Sequence, residues 1–246
     1  MRGGYLNFFG KPIPEIKPED LKGYLFVVEG TDGSGRSTHI AMLTQWLEAK
    51  GYSTVNMGLN RSTLISTELS KAKVGNILDP RTFTLFYVTD FFDQLENIII
   101  PNLKAGSIIL ADRYIYTLIA RSLVRGLEKE WIENIFQIAL VPDIVFYLKV
   151  SPSILVERNL MKQTLFDYWE SGMDMRISTD IFTSFVKYQK MMQDEYMRMS
   201  KKYNFTTINA NRPVRTVFNQ LKKHIEEYIK WVSGDEKSGG NSLLCC

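Results

Sequence analysis

Nine residues, Gly30-Thr31-Asp32-Gly33-Ser34-Gly35-Arg36-Ser37-Thr38, bring together three glycines, a carboxylate, a cation and four hydroxyls. The run fits the pattern G-x-x-x-x-G-K-[ST], with Arg36 at the lysine position. Glycines let the backbone turn tightly, so that successive N–H groups point inward at phosphate oxygens. A helix beginning there adds positive potential. Ser37 offers a hydroxyl to Mg²⁺. An arginine keeps the charge and grips phosphate through two N–H bonds, but it is longer and planar, where lysine is a compact point charge. The substitution predicts retained phosphate binding and slower transfer.

Such a loop works only between a strand and a helix, and the flanking sequence supplies both. Tyr24–Glu29 is a short apolar run, and Ser37–Lys50 carries Ile40, Leu43 and Leu47 at helical spacing before Gly51. Further strands are expected at Tyr52–Met57, Ser107–Ala111, Asp143–Val150 and Phe205–Asn209. Helices are expected at 81–104, bent or ended by Pro101, and at 114–125, 128–140, 151–162, 178–202 and 214–232. Several strands are apolar on both faces. The pattern predicts an α/β chain with a five-stranded parallel sheet covered by helices on both sides. Ligands of such sheets bind beyond the carboxyl ends of the strands. Residues 1–22 are rich in Gly and Pro and are expected to form an arm with little regular structure. Residues 233–246 read as a polar tail.

Composition narrows the function classes. Apolar residues make up 45% of the 246, enough for a core, and the net charge of +3 points to neither nucleic acid nor membrane as a partner. No apolar run approaches about 18 residues, the length needed to span a bilayer. The first twenty residues have no apolar leader segment, so none is expected. The two cysteines, Cys245 and Cys246, are adjacent, which excludes a disulfide-stapled core and a cysteine-built zinc site. A reduced tail points to the cytoplasm. His39 and His224 have no partner that would make either a catalytic base, and the methionines of 191–199 read as packing.

Glu29-Gly-Thr-Asp32-Gly-Ser-Gly-Arg-Ser-Thr38 together with Asp112-Arg113-Tyr114 resembles the thymidylate kinase family over about residues 22–232. Its members carry an E-G-x-D-x-x-G-K-S-T loop and a D-R-[YFH] motif after a buried strand. The resemblance implies a three-layer P-loop NTPase fold with a lid segment, about 159–177 here. It implies phosphoryl transfer from ATP·Mg²⁺ to dTMP by a homodimer. Asp32 then holds the acceptor's sugar hydroxyl, and Asp112 orients Mg²⁺ with Ser37. Arg113 bridges donor and acceptor phosphates and neutralises charge on the transferring group. Arg158 is similar to the arginine entering the family's lid helix, with Lys162 and Arg176 as further lid cations. Asn209 and Ala210 match a run whose backbone lines the adenine pocket.

The acceptor side departs from the pattern. Counting back from Asp112, the arginine that grips the acceptor monophosphate becomes Phe91, with Asp90 before it. The aromatic residue that stacks on the base becomes Tyr87, or Phe86 one register away. Thr117 and Ala120 fit the helix after D-R-Y, while Arg121-Ser122 replaces a Tyr-Gln pair. Gly58-Leu-Asn-Arg61-Ser-Thr63 replaces a glycine-rich loop, so Arg61 or Arg121 is expected to supply the missing charge. Two other activities stay open on these residues: a related kinase with a different acceptor, and a nucleotide-binding regulator with little catalysis.

Overall fold

The computed structural model describes residues 6–75, 78–161 and 167–234. Five strands, β1 (Tyr24–Glu29), β2 (Thr54–Gly58), β3 (Ile108–Asp112), β4 (Ile144–Lys149) and β5 (Thr206–Asn209), form one sheet in the order β2-β3-β1-β4-β5. Every pairing is parallel. The expected α/β architecture is therefore present. Neighbouring strand residues alternate between two cores, as a pleated strand requires. Leu25, Val27, Ile109, Ala111, Val145 and Tyr147 face one side. Phe26, Val28, Leu110, Phe146 and Leu148 face the other.

The second side is covered by α1 (Arg36–Ala49), α7 (Pro152–Met161) and α9 (Val214–Ser233), through Ile40, Leu43, Leu155, Val217 and Leu221. The first side is covered by α3 (Pro80–Gln94), α4 (Ile100–Lys104), α5 (Ile115–Val124) and α8 (Ile181–Lys202). Two helices are shorter or new. The expected helix over 128–140 is α6 (Lys129–Ile135) followed by a 3₁₀ turn, Phe136–Ile138. Helix α2 (Ser66–Gly75) has no counterpart in the sequence reading. It buries only Leu69 among its described apolar side chains and so lacks the apolar stripe that reveals a helix.

Pro101 neither ends nor visibly breaks the helix that carries it. The irregularity lies just before it, as a π-helical turn over Leu95–Ile99 between α3 and α4. Proline removes one helical N–H and its ring crowds the carbonyl four residues back. A wide turn at that place relieves both, at the cost of one extra residue per turn.

In the arm, Phe8 and Leu140 form an antiparallel bridge, and Leu6 and Leu21 are buried in the first core. The Phe9 N–H donates to the Ala139 carbonyl (2.9 Å) and the Val141 N–H to the Asn7 carbonyl (2.7 Å). Residues 137–141 lead into the start of β4, so this stretch packs at the end of the sheet opposite the phosphate loop. No helix among the described residues is long and apolar enough to cross a membrane.

Candidate active site

The loop between β1 and α1 has the geometry of an anion cradle. Gly35 sits at φ +92°, and a Cβ on Gly30 would lie 2.7 Å from Ser34 Oγ and 3.0 Å from the Leu148 carbonyl oxygen. Neither position accepts a side chain without strain. Arg36 is the first residue of α1 and is almost wholly buried. Its Nη1 donates to the carbonyls of Gly30 (2.5 Å) and Thr31 (2.6 Å), and more weakly to Ser34 Oγ (3.3 Å). Its Nε donates to Asp112 Oδ1 at 2.9 Å. The guanidinium thus holds the loop's own carbonyls and ties them to the end of β3.

Asp112 is the last residue of β3 and faces Val28 of β1 in register. Its second oxygen accepts the Ser37 hydroxyl at 2.6 Å. Two hard oxygen donors therefore stand together at the helix start. Among the described residues no cluster of three or more His, Cys, Asp or Glu exists elsewhere to hold a metal. Thr38 is exposed beside Ser37, whereas His39 is buried and bonded to the Gly35 (2.7 Å) and Val214 (3.3 Å) carbonyls, a structural role.

Arg113 occupies the left-handed region at φ +74°, unusual for a residue with a side chain. That conformation turns the guanidinium back to pair with Asp32. Its Nε is buried without a partner among the described residues. Burial first, and the Arg121 charge second, pull its pKa down. The turn is held from below by Glu29, the fully buried last residue of β1. Glu29 Oε1 accepts the N–H groups of Tyr114 (2.9 Å) and Thr117 (3.2 Å), two donors that the start of α5 leaves unpaired. Glu29 Oε2 accepts the Thr117 hydroxyl at 2.6 Å, with the Tyr196 hydroxyl at 3.3 Å. Thr117, expected at the acceptor, is thus fully buried and committed to this network. Sequence reasoning missed Glu29. Its signal was a carboxylate closing an otherwise apolar strand.

Beyond the loop lies a polar cavity of about 260 Å³. Asp32, Arg36, Asp112 and Arg113 form one part of its lining; Arg61, Lys73, Tyr87, Arg121 and Glu170 form another. Tyr87 rather than Phe86 lines it, and the Arg121 guanidinium sits 5.7 Å from the Tyr87 ring centre. Arg121 also lies 4.0 Å from Glu170, and Arg61 3.6 Å from Asp112. Lys73 escaped the sequence reading together with its helix α2. It lies 3.7 Å from Asp167, and its carbonyl accepts the Trp169 indole N–H at 2.9 Å. A larger groove, about 890 Å³, opens near Phe9, Ile144, Thr206 and Trp231. It lies at the other end of the sheet and contains none of the candidate residues.

Arg158 bridges two candidate elements. It donates to the Gly33 carbonyl (3.2 Å) and the Ala210 carbonyl (2.9 Å), which brings the Asn209-Ala210 turn alongside the phosphate loop. Asn209 itself accepts the N–H of Asn211. Arg176 is exposed at φ +53°, with no ion pair among the described residues, and Lys162 lies outside them.

Phe91 is fully buried against Tyr114 and Phe136 and does not line the cavity. Its neighbour Asp90 faces the 58–63 loop instead. Besides Arg36 and Arg113, the cations of this cavity therefore come from the loop after β2, from α2 and from α5.

The profile of the thymidylate kinase family matches residues 28–221, a span that holds every one of these side chains. The chain is 35% identical over 212 residues to the "Probable thymidylate kinase 2" of Saccharolobus solfataricus, covering 85% of this chain and 98% of that one. It is 28% identical over 221 residues to the "Thymidylate kinase" of Caldicellulosiruptor saccharolyticus, covering 85% and 99%. To the "Probable thymidylate kinase" of Thermococcus kodakarensis it is 27% identical over 213 residues, covering 82% and 97%. Because these matches run nearly the full length of each relative and take in both the loop and the D-R-Y turn, the chain belongs to the thymidylate kinase family.

Proposed function

We propose that this protein transfers the γ-phosphoryl group of ATP to dTMP, forming dTDP and ADP, with Mg²⁺ as the metal. A phosphate oxygen of dTMP attacks the γ-phosphorus, and the bond from that phosphorus to the β,γ-bridging oxygen breaks. No covalent enzyme intermediate is required, since positioning and electrostatic stabilisation carry such a reaction. The observation that carries the reading is the convergence of Arg36, Asp112 and Arg113 on one cavity that also contains Tyr87 and Asp32. Arg113, with one buried N–H unpaired, supplies a donor to charge developing between the two phosphates. Tyr87 offers a π-face to the base, and Asp32 an acceptor to the sugar hydroxyl.

Ser37 and Asp112 fit Mg²⁺, which takes one or two protein oxygens and completes its shell with water and phosphate. When bound, the ion neutralises phosphate charge. We assign the reaction to the cytoplasm and the active form to a homodimer. Leu64, Val74 and Leu85, in and around α2 and α3, are exposed apolar residues that support self-association. Light scattering on the purified chain gives the oligomeric mass.

The test is ADP formation from ATP and Mg²⁺ against dTMP, dUMP, UMP, CMP, AMP, GMP and thymidine. Rapid turnover of dTMP above all others is expected. Preference for another monophosphate would make the chain a kinase of that acceptor. ATP binding without any acceptor-stimulated turnover would sink the kinase reading.

A further inference from the structure

We infer that Asp90 is a positioning residue: it curls the 58–63 loop so that Arg61 receives the acceptor's phosphate. The inference rests on the function proposed above.

Asp90 is fully buried on α3 and has no ion-pair partner among the described residues. Its carboxylate is spent on backbone. Oδ2 accepts the Asn60 N–H at 2.7 Å and Oδ1 the Ser62 N–H at 2.8 Å. Two N–H groups on either side of Arg61 converge on one anion, and Asn60 adopts φ +60° to turn the backbone onto it. Gln94, one turn further along α3, donates to the Gly58 carbonyl (2.8 Å) and to Asp90 Oδ2 (3.0 Å). Asp93 accepts the Ser62 hydroxyl at 2.6 Å, and that hydroxyl accepts the Leu64 and Ile65 N–H groups. One face of α3 thus fixes the loop residue by residue.

With the backbone turned inward onto Asp90, the Arg61 side chain projects from the outer side of the curl. It is 46% exposed, lines the cavity and stands 3.6 Å from Asp112. Gly58 sets the approach: a Cβ there would lie 2.8 Å from the Asp112 carbonyl oxygen and 3.1 Å from Arg61 Cζ. Burying a carboxylate without a counter-ion is costly unless hydrogen bonds satisfy it, and burial does push the Asp90 pKa up. Phe91 and Val88, close to it on α3, pack in the core and gain nothing from that charge. The loop does. A carboxylate at Asp90 would itself repel a phosphate, so the helix serves the acceptor indirectly, by holding a cation from behind.

The test is a cycle of Arg61→Ala, Asp90→Ala and the double variant, with Asp90→Asn as a milder change and melting curves on each. KM for dTMP and calorimetric binding of dTMP and thymidine are measured. Arg61→Ala should raise KM for dTMP at least about tenfold, the scale of a lost charged hydrogen bond. Asp90→Ala should do much the same, and the double variant should be no worse than Arg61→Ala alone. Asp90→Asn should fall between wild type and Asp90→Ala. Thymidine, which lacks the phosphate, should bind all variants equally. Additive losses in the double variant, or equal weakening of thymidine, would overturn the inference. If the wild type binds dTMP but phosphorylates nothing, the proposed reaction fails, and the binding cycle still decides the role of Asp90.

Discussion

Arg36 and Asp112, 76 positions apart in the chain, are joined by a 2.9 Å hydrogen bond from Nε to Oδ1. That bond closes the phosphate loop onto the end of β3. The same guanidinium reaches two loop carbonyls from Nη1 while Nε holds Asp112, a span that a lysine with a single nitrogen cannot repeat. Arg36→Lys should therefore lower stability by about 1–3 kcal/mol, the cost of leaving buried acceptors unpaired. Turnover should not rise above wild type. Urea denaturation and kcat with saturating ATP check both; a large gain in kcat would show that the arginine limits the reaction.

Arg113 combines a left-handed backbone with a buried, partly unpaired guanidinium. Arg113→Lys keeps a positive charge but loses the planar fork. The expected result is a fall in kcat of about 10²-fold or more, with a smaller change in ATP affinity. Steady-state kinetics at fixed Mg²⁺ separates the two.

Burial pushes the Glu29 carboxyl above its ordinary 4.5, against the smaller opposing pull of its bonds to Thr117 and Tyr114 and of the Arg36 and Arg113 charges. From 4.5 up to the raised folded value, the native state holds more proton than the unfolded chain. Wild-type stability therefore declines as pH rises through that window. Glu29→Gln removes this proton exchange. The stability advantage of wild type over the variant should shrink as pH rises above the ordinary 4.5 and through the raised folded value. Denaturant titrations at several pH values give the slope, and a gap that widens with pH contradicts it.

Trp169 is almost fully buried, stacks on Phe83 with ring centres 4.3 Å apart and donates to the Lys73 carbonyl. It ties α2 to α3 beneath the acceptor cavity. Trp169→Ala should cost about 3–5 kcal/mol, and Trp169→Phe distinctly less, because the stack survives. Thermal melting of the two variants tests the difference.

The sheet and the phosphate loop were legible because apolar runs alternate with glycine turns and amphipathic helices. Strand β3 and its Asp112-Arg113 end could be placed for the same reason. Lys73 could not, since α2 buries Leu69 alone and offers no periodic stripe. Thr117 misled because a hydroxyl in the right helix was read as facing the ligand; a carboxylate from β1, 88 residues earlier, claims it. For Arg36 the charge was readable, but its bonds to the loop's own carbonyls depend on a turn that only the folded backbone defines. The register of α3 was ambiguous by one residue in the sequence, and in the structure it is Tyr87, not Phe86, that lines the cavity.

The π-helical turn over Leu95–Ile99 has a consequence for how such a site can change during evolution. Each helical residue is rotated about 100° from the one before it. Gaining or losing a single residue at 95–99, with α4 and β3 kept in place, would swing the upstream side chains around the helix axis by that angle. The side chain offered to the 58–63 loop could then be exchanged without any substitution at the site itself. An indel some two turns away can thus act as a switch of chemical identity at the substrate, provided that the core face of α3 is repacked.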